Sequence, residues 1–362
     1  DADGRVLAAD VVSELQVPAF DNSAMDGYAV RAEDLMFGSN ELRVTQRIAA
    51  GAVGEHLQAG TAARIFTGAP VPPGADAVVM QEDCTRIQDE RHGERHGEPE
   101  TIRVNTTPLP GQHIRHAGED VQLGDCVLPA GTRLGPAELG LAASIGMAQL
   151  PVHVRPRVGL LSTGDELVMP GDCAPQDLKP GAIFNSNRFF LKVLLEKAGA
   201  VVTDLGIVPD NREKTIQALQ QAAQLHDLVL TSGGVSVGEE DHIKPAVQSL
   251  GQLDLWQISM KPGKPFAYGQ IFREKTDENV SACHFIGLPG NPVSSFVTFI
   301  LLVRPFLLAL QGAHQISPQY KHAVANFDWL NPDKRREFLR VRYSENGQLE
   351  LFPNQSSGVL NS

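Results

Sequence analysis

The chain has 362 residues and a formal net charge of −12, and its 42% hydrophobic content is that of a globular protein. Such a length exceeds one ordinary core and predicts roughly two or three domains. The acidic balance opposes non-specific binding to nucleic acid, so any anionic ligand has to be held by local donors against the overall field. No apolar run approaches the roughly 20 residues that cross a bilayer. Cys84, Cys126, Cys173 and Cys283 are scattered without a CxxC pair, which signals neither a zinc site nor a disulfide framework. A soluble protein of a reducing cytoplasm is expected, with neither nucleic acid nor membrane as partner.

The opening DADGRVLAADVV has no signal-type region. Lacking an initiating Met and a compact ending, the chain is expected to be trimmed at both ends. Residues 5–12 read as a short strand or helix, and VPAFDNSAMDGYAV as a turn-rich loop around Asn22, Ser23, Asp26 and Gly27. Asp21 and Asp26 flank that loop either for function or as an Asx-turn network that holds its shape. From Leu42 to about Arg103, short β-type segments (LRVTQRI, ARIF, AVVM, TIRV) alternate with Gly and Pro clusters and predict a small β domain. Thr67 and, further on, Asp120 sit at turns where their side chains either face a ligand or close the turn. His92 and His96, in the repeated RHGE, are expected on a solvated surface loop. A helix is predicted from Pro136 to Ala148.

From Arg157 strands and helices alternate: strand VGLLS, helix Asn187 to Lys197, strand AVVTDLGIV, helix Arg212 to Leu225, strand LVLT. This βαβαβ order predicts a largely parallel sheet covered on both faces, with ligands outside the carboxyl ends of the strands. Those ends carry STGDE, VPDN and TSGGVSVGEED. In the last, Gly233, Gly234 and Gly238 let backbone N–H groups approach an oxyanion, with hydroxyls from Ser232 and Ser236. Glu166, Asp210 and Asp241 each follow a different strand, the arrangement a hard cation such as Mg²⁺ requires. Asp210 with Glu213 is equally a capping box, and Asp241 a helix cap. Lys261 and Lys264 lie in the stiff MKPGKP loop, and GLPGNPVSS opens a Phe-, Val- and Leu-rich helix whose Ser294 is a donor. A β-like piece from His322 to Ser362 ends the chain.

In order between residues 20 and 295, FDNSAMDGYAV, FTGAPVPPGADAVV, HAGEDV, LSTGDEL, LTSGGVSVGEED, MKPGKP and GLPGNPVSS closely resemble the MoeA-type molybdopterin molybdenumtransferases, relatives of the gephyrin E domain. The resemblance implies a homodimer of multidomain α/β plus β class. Its units are a linking domain (1–20 and 112–150), a β-rich domain (21–111), a molybdopterin-binding α/β domain (151–313) and an incomplete C-terminal β domain (314–362). It implies insertion of molybdate into adenylylated molybdopterin with Mg²⁺-dependent release of AMP. Molybdopterin adenylyltransferase and molybdoenzyme apoproteins are the implied partners. Carried over by position, Asp26, Thr67, Asp120, Glu166, Asp210 and Asp241 stand at catalytic positions, the last three as metal ligands. Substrate contacts fall to Ser232, Gly233, Gly234, Ser236, Lys261, Lys264, Pro265, Ser294, Arg335 and Ser357. Gln257 departs from the pattern, since relatives often carry Lys there. A gephyrin-like scaffold and a molybdopterin adenylyltransferase are the alternatives. The converging acids and loop lysines favour catalysis over a scaffold, and the FDNSAMDG and FTGAPVPPG segments argue against the adenylyltransferase.

Overall fold

A computed structural model of the chain describes residues 1–87, 100–235, 241–273, 281–358 and 360. The RHGE repeat with His92 and His96, and Ser236 and Gly238 of the glycine loop, lie outside the described residues. The chain divides into two compact units. The smaller comprises Asp10–Pro129 and Ala137–Leu150, the larger Asp1–Ala9, Ala130–Pro136 and Pro151–Ser362.

The smaller unit is built on a six-stranded sheet of β1 (Gly27–Val30), β2 (Glu41–Ile48), β3 (Thr61–Ile65), β4 (Ala77–Met80), β5 (Cys84–Ile87) and β6 (Thr101–Val104). Their order across the sheet is β4-β1-β3-β2-β6-β5. Side chains alternate between two cores. Tyr28, Val30, Leu42, Val79 and Ile102 fill one, and Ala29, Ile48, Ile65 and Val78 fill the other. β1 corrects the expectation of a loop through GYAV. It pairs antiparallel with both β3 and β4 and is buried along its whole length. A strand covered on both faces shows no polar alternation, so the usual signal is missing. Gly27 is required there, because a Cβ would collide with the Val79 carbonyl of the neighbouring strand.

The larger unit carries β7 (Arg157–Thr163), α1 (Asn187–Lys197), β8 (Val201–Val208), α2 (Arg212–Leu225), β9 (Leu228–Ser232), α3 (Ile243–Leu250), β10 (Gly251–Trp256), β11 (Ala267–Phe272) and β12 (Ala282–Leu288). The sheet order is β8-β7-β9-β12-β11-β10. β8, β7, β9 and β12 are mutually parallel, and β11 and β10 add an antiparallel edge. α1 with Phe299, Val303 and Leu307 covers one face over Leu160, Leu230 and Ile286. α2 and α3 cover the other over Val229 and Phe285. This is the mixed α/β class expected.

Two local expectations change. Pro292–Leu310 is one helix of 19 residues with mean hydropathy 2.1, long and apolar enough to cross a membrane, which corrects the expectation that no apolar run nears that length. Its Phe299, Val303 and Leu307 lie in the core beneath the sheet, the position that explains its composition. The cap of α2 is Asn211, whose side chain accepts from the Lys214 N–H at 3.0 Å, and not Asp210. The capping-box reading of Asp210 therefore fails, and its carboxylate accepts from the Asp165 N–H instead.

Candidate functional site

β7 connects through α1 to β8 on one side, while β9 pairs with its opposite side, so the chain changes direction between β7 and β9. Open α/β sheets bind ligands in the crevice that such a reversal leaves at the carboxyl ends of the strands. A cavity of about 710 Å³ lies there. It is bounded by Thr163 and Gly164 after β7, Ser232 to Val235 after β9, Pro289 to Pro292 after β12, and Asn185 to Asn187 at the start of α1.

Of the residues singled out from sequence, Glu166, Asp210, Asp241, Ser232, Gly233, Gly234, Pro265 and Ser294 all line this cavity. The glycines serve packing as much as ligand access. Gly233 has φ +94° and Gly234 φ +67°, and a Cβ on Gly234 would lie 2.7 Å from both Thr163 Oγ1 and Ile243 Cγ1. Asp210 and Asp165 are tied reciprocally: the Asp165 N–H donates to Asp210 Oδ2 at 3.2 Å, and the Asp210 N–H to Asp165 Oδ1 at 3.0 Å. The Glu166 carboxylate folds back over Gly164, and Asp241 Oδ1 accepts from the Ile243 N–H at 3.3 Å as α3 begins. Asp241 thus does some of the capping foreseen for it.

The lysines and the C-terminal residues divide. Lys264 is exposed, with no ion-pair partner among the described residues. Lys261 Nζ is 2.7 Å from Glu337 and 3.7 Å from Asp333, where Met260–Lys261 runs parallel to Arg336–Glu337. Glu337 also accepts from Trp329 Nε1 and the Asp333 N–H. Its hydrogen bond raises the Lys261 ammonium pKa and lowers its own. Arg335 is forked onto Asp333 at 2.9 and 2.8 Å. Neither Lys261 nor Arg335 is in the cavity wall. The Ser357 carbonyl accepts from the Val293 N–H at 3.0 Å, which holds the neighbouring Gly358 at the cavity. Gln257 takes φ +79°, with its N–H bonded to the Phe266 carbonyl at 2.8 Å.

Glu166, Asp210 and Asp241 share the cavity, yet among the described residues no three His, Cys, Asp or Glu side chains form a ready-made metal cluster. An oxygen-only donor set without a closed cage does not suit zinc. It does suit Mg²⁺, which takes one or two carboxylates and completes its shell with water and substrate phosphate.

Asp26, Thr67 and Asp120 belong to the smaller unit, where three motifs far apart in sequence are stitched together. The Ser23 N–H donates to the Ala69 carbonyl, the Gly68 N–H to the Ser23 carbonyl and the Ala24 N–H to the His113 carbonyl. Asp21 accepts from the Ala117 N–H at 2.8 Å. Asp26 Oδ1 accepts from the Thr67 N–H at 2.7 Å and its hydroxyl at 2.8 Å, and these bonds lower the Asp26 pKa. Asp120 pairs with Arg115 at 2.5 Å. The bonds of Asp21 and Asp26 thus run to distant segments, at Ala117 and Thr67, and are not those of local Asx turns.

Sequence reasoning missed Thr163, Asn185 and Asn187, which are 6%, 2% and 7% exposed and line the same cavity. Asn187 Nδ2 donates to Ser232 Oγ at 2.8 Å and to the Gly290 carbonyl at 2.7 Å, linking three of the cavity's walls. The one available signal was a pair of Asn residues in FNSNRF, at the start of a helix, where amides ordinarily read as caps.

Residues 1–146 match the family model described as MoeA N-terminal region (domain I and II). Residues 159–309 match that described as a probable molybdopterin binding domain. A relative from Haemophilus influenzae named molybdopterin molybdenumtransferase is 43% identical over 365 residues, covering 100% of this chain and 84% of the relative. One of the same name from Nostoc sp. is 40% identical over 342 residues, 93% of this chain and 74% of the relative. Among solved structures, the molybdopterin biosynthesis moeA protein of Pyrococcus horikoshii OT3 superposes with a TM-score of 0.78 at 33% identity, covering 99% of this chain and 85% of that one.

Proposed function

Because the chain belongs to the family of MoeA-type molybdopterin molybdenumtransferases, we propose that it inserts molybdate into adenylylated molybdopterin and releases AMP in a Mg²⁺-dependent step. The observation that carries this reading is the cavity at the chain reversal, where Glu166, Asp210 and Asp241 meet the Gly233–Gly234 turn and the hydroxyls of Ser232 and Ser294. The Gly233 N–H donates to the Leu288 carbonyl at 3.1 Å, so in this left-handed turn it is the Gly234 N–H that suits a phosphate. The carboxylates of the same cavity would hold Mg²⁺, which when bound neutralises pyrophosphate charge and polarises the bond that breaks.

The chain's own groups would do the rest. Asp165 fixes Asp210 through reciprocal backbone bonds, so that carboxylate meets the substrate already ordered. Lys264, exposed in the loop that also brings Pro265 to the cavity, is a cation suited to a tetrahedral dianion such as molybdate. A homodimer in a cytoplasmic setting belongs to the same proposal, its oligomeric state measurable by light scattering. The decisive experiment gives the protein adenylylated molybdopterin, Mg²⁺ and molybdate and follows AMP. Release that rises with molybdate supports the proposal, and none at any molybdate level refutes it.

A further inference from the structure

Two motifs that bring residues to the cavity meet the same C-terminal stretch of chain. MKPGKP delivers Pro265, and the helix that opens at Pro292 delivers Ser294. Along the first, Met260–Lys261 pairs parallel with Arg336–Glu337, and the Phe338 N–H donates to the Lys261 carbonyl at 2.8 Å. At the second, the Val293 N–H donates to the Ser357 carbonyl at 3.0 Å, beside Gly358 of the cavity wall. Between these anchors Val341–Tyr343 and Leu349–Leu351 form a hairpin, continued by the Phe352 N–H on the Arg340 carbonyl at 2.9 Å. The next residue, Pro353, has no N–H with which to extend it.

Side chains hold the chain beyond that point. Gln355 Oε1 accepts from the Arg340 N–H at 3.0 Å, while its Nε2 donates to the carbonyls of Arg340 at 2.9 Å and Phe352 at 2.7 Å. A backbone N–H only donates and a carbonyl only accepts, so these partners fix which end of the amide is which. The Arg340 guanidinium donates in turn to the carbonyls of Asn354 and Ser356. The side chain of each residue thus grips main chain at or beside the other.

We infer that Gln355 is a positioning residue for oxyanion binding: with Arg340 it clasps residues 354–358, and so holds the lysine loop and the Ser294 helix at one separation. The inference rests on the molybdenumtransferase reading above and adds a residue that is not in the cavity wall. Donors held together meet a tetrahedral dianion already ordered, whereas donors free to move apart must be ordered on binding, which weakens affinity.

The test follows AMP release by the full chain across a molybdate titration. Gln355→Glu keeps the shape but sets an acceptor against two carbonyls, and Gln355→Met keeps the length without a polar end. Both are expected to raise the molybdate concentration for half-maximal release by about tenfold, with the maximal rate within about twofold of wild type. Leu349→Ala takes a half-buried side chain from the same hairpin without touching the clasp, and its half-maximal concentration should stay within about twofold of wild type. Hydrogen exchange at the Val293 amide is expected to be at least about tenfold faster in both Gln355 variants. An unchanged half-maximal concentration in both variants, a maximal rate that falls as far as affinity, or an equal defect in Leu349→Ala overturns the inference. If wild type releases no AMP at any molybdate level, the molybdenumtransferase reading falls and the oxyanion role with it. Equal Val293 exchange in wild type and variants overturns the clasp itself, whatever the AMP result.

Discussion

Gly234→Ala is the sharpest test of how the glycine turn is built. Two costs act at once. At φ +67° a Cβ is disfavoured by the left-handed backbone, by about 1–2 kcal/mol. It would also stand 2.7 Å from Ile243 Cγ1, and Ile243 is 1% exposed at the start of α3 with no room to retreat. Overpacking of this kind costs about 1–3 kcal/mol, so the expected loss is about 2–5 kcal/mol. Gly206→Ala is the control. It has φ +85° but nothing within 4 Å of the added Cβ, so only the backbone cost of about 1–2 kcal/mol applies. Both tryptophans, Trp256 and Trp329, lie in the larger unit, so their fluorescence in urea reports that unit's transition without the smaller one. If Gly234→Ala costs no more than Gly206→Ala, the close packing of the turn on Ile243 and Thr163 is not what holds it.

The two lysines of MKPGKP should separate in function. Lys264→Ala should raise the molybdate concentration for half-maximal AMP release by about tenfold or more, and Lys261→Ala by less, because Lys261 is already held by Glu337 and Asp333; the reverse order would remove Lys264 from the site. Asn211→Ala removes the cap of α2 and should destabilise the larger unit by about 1 kcal/mol, whereas Glu213→Ala, without the capping box, should have little effect in the same urea titration. Burial lowers the pKa of His284, which sits against Tyr268 and Phe306, so below its ordinary value of 6.5 the unfolded chain takes up the proton more readily than the folded one. Stability should therefore fall as pH drops from about 7.5 to about 5.5, and His284→Gln should show a shallower fall in Tm; equal slopes would show that His284 does not contribute.

The elements that sequence defined best are those with a period and an end signal. Asn187–Lys197 and Arg212–Leu225 are helices with the bounds expected, because each has a buried stripe and a polar approach. β1 was not legible, since burial on both faces erases alternation, and neither was β5, four residues long with a charged Arg86 in its centre. The counter-ions of Lys261 could not be foreseen either. Asp333 and Glu337 lie in a different segment, and only the pairing of Met260–Lys261 with Arg336–Glu337 brings them beside it.

The acidic half of the site was legible for a different reason from its neutral half. Glu166, Asp210 and Asp241 were noticed because charge after a strand end needs an explanation, and the cavity supplies one. Asn185 and Asn187 carry no charge and stand at the start of a helix, so local sequence already explains them as caps. The structure agrees with that account only in part. Neither side chain caps α1 as an N-cap residue: Ser186 holds that position without a side-chain bond, and Asn187 instead spans to Ser232 and Gly290. Only Asn185 makes a local bond, to the Arg188 N–H. Which end of each amide the fold already uses becomes visible only when the tertiary contacts of both residues are known.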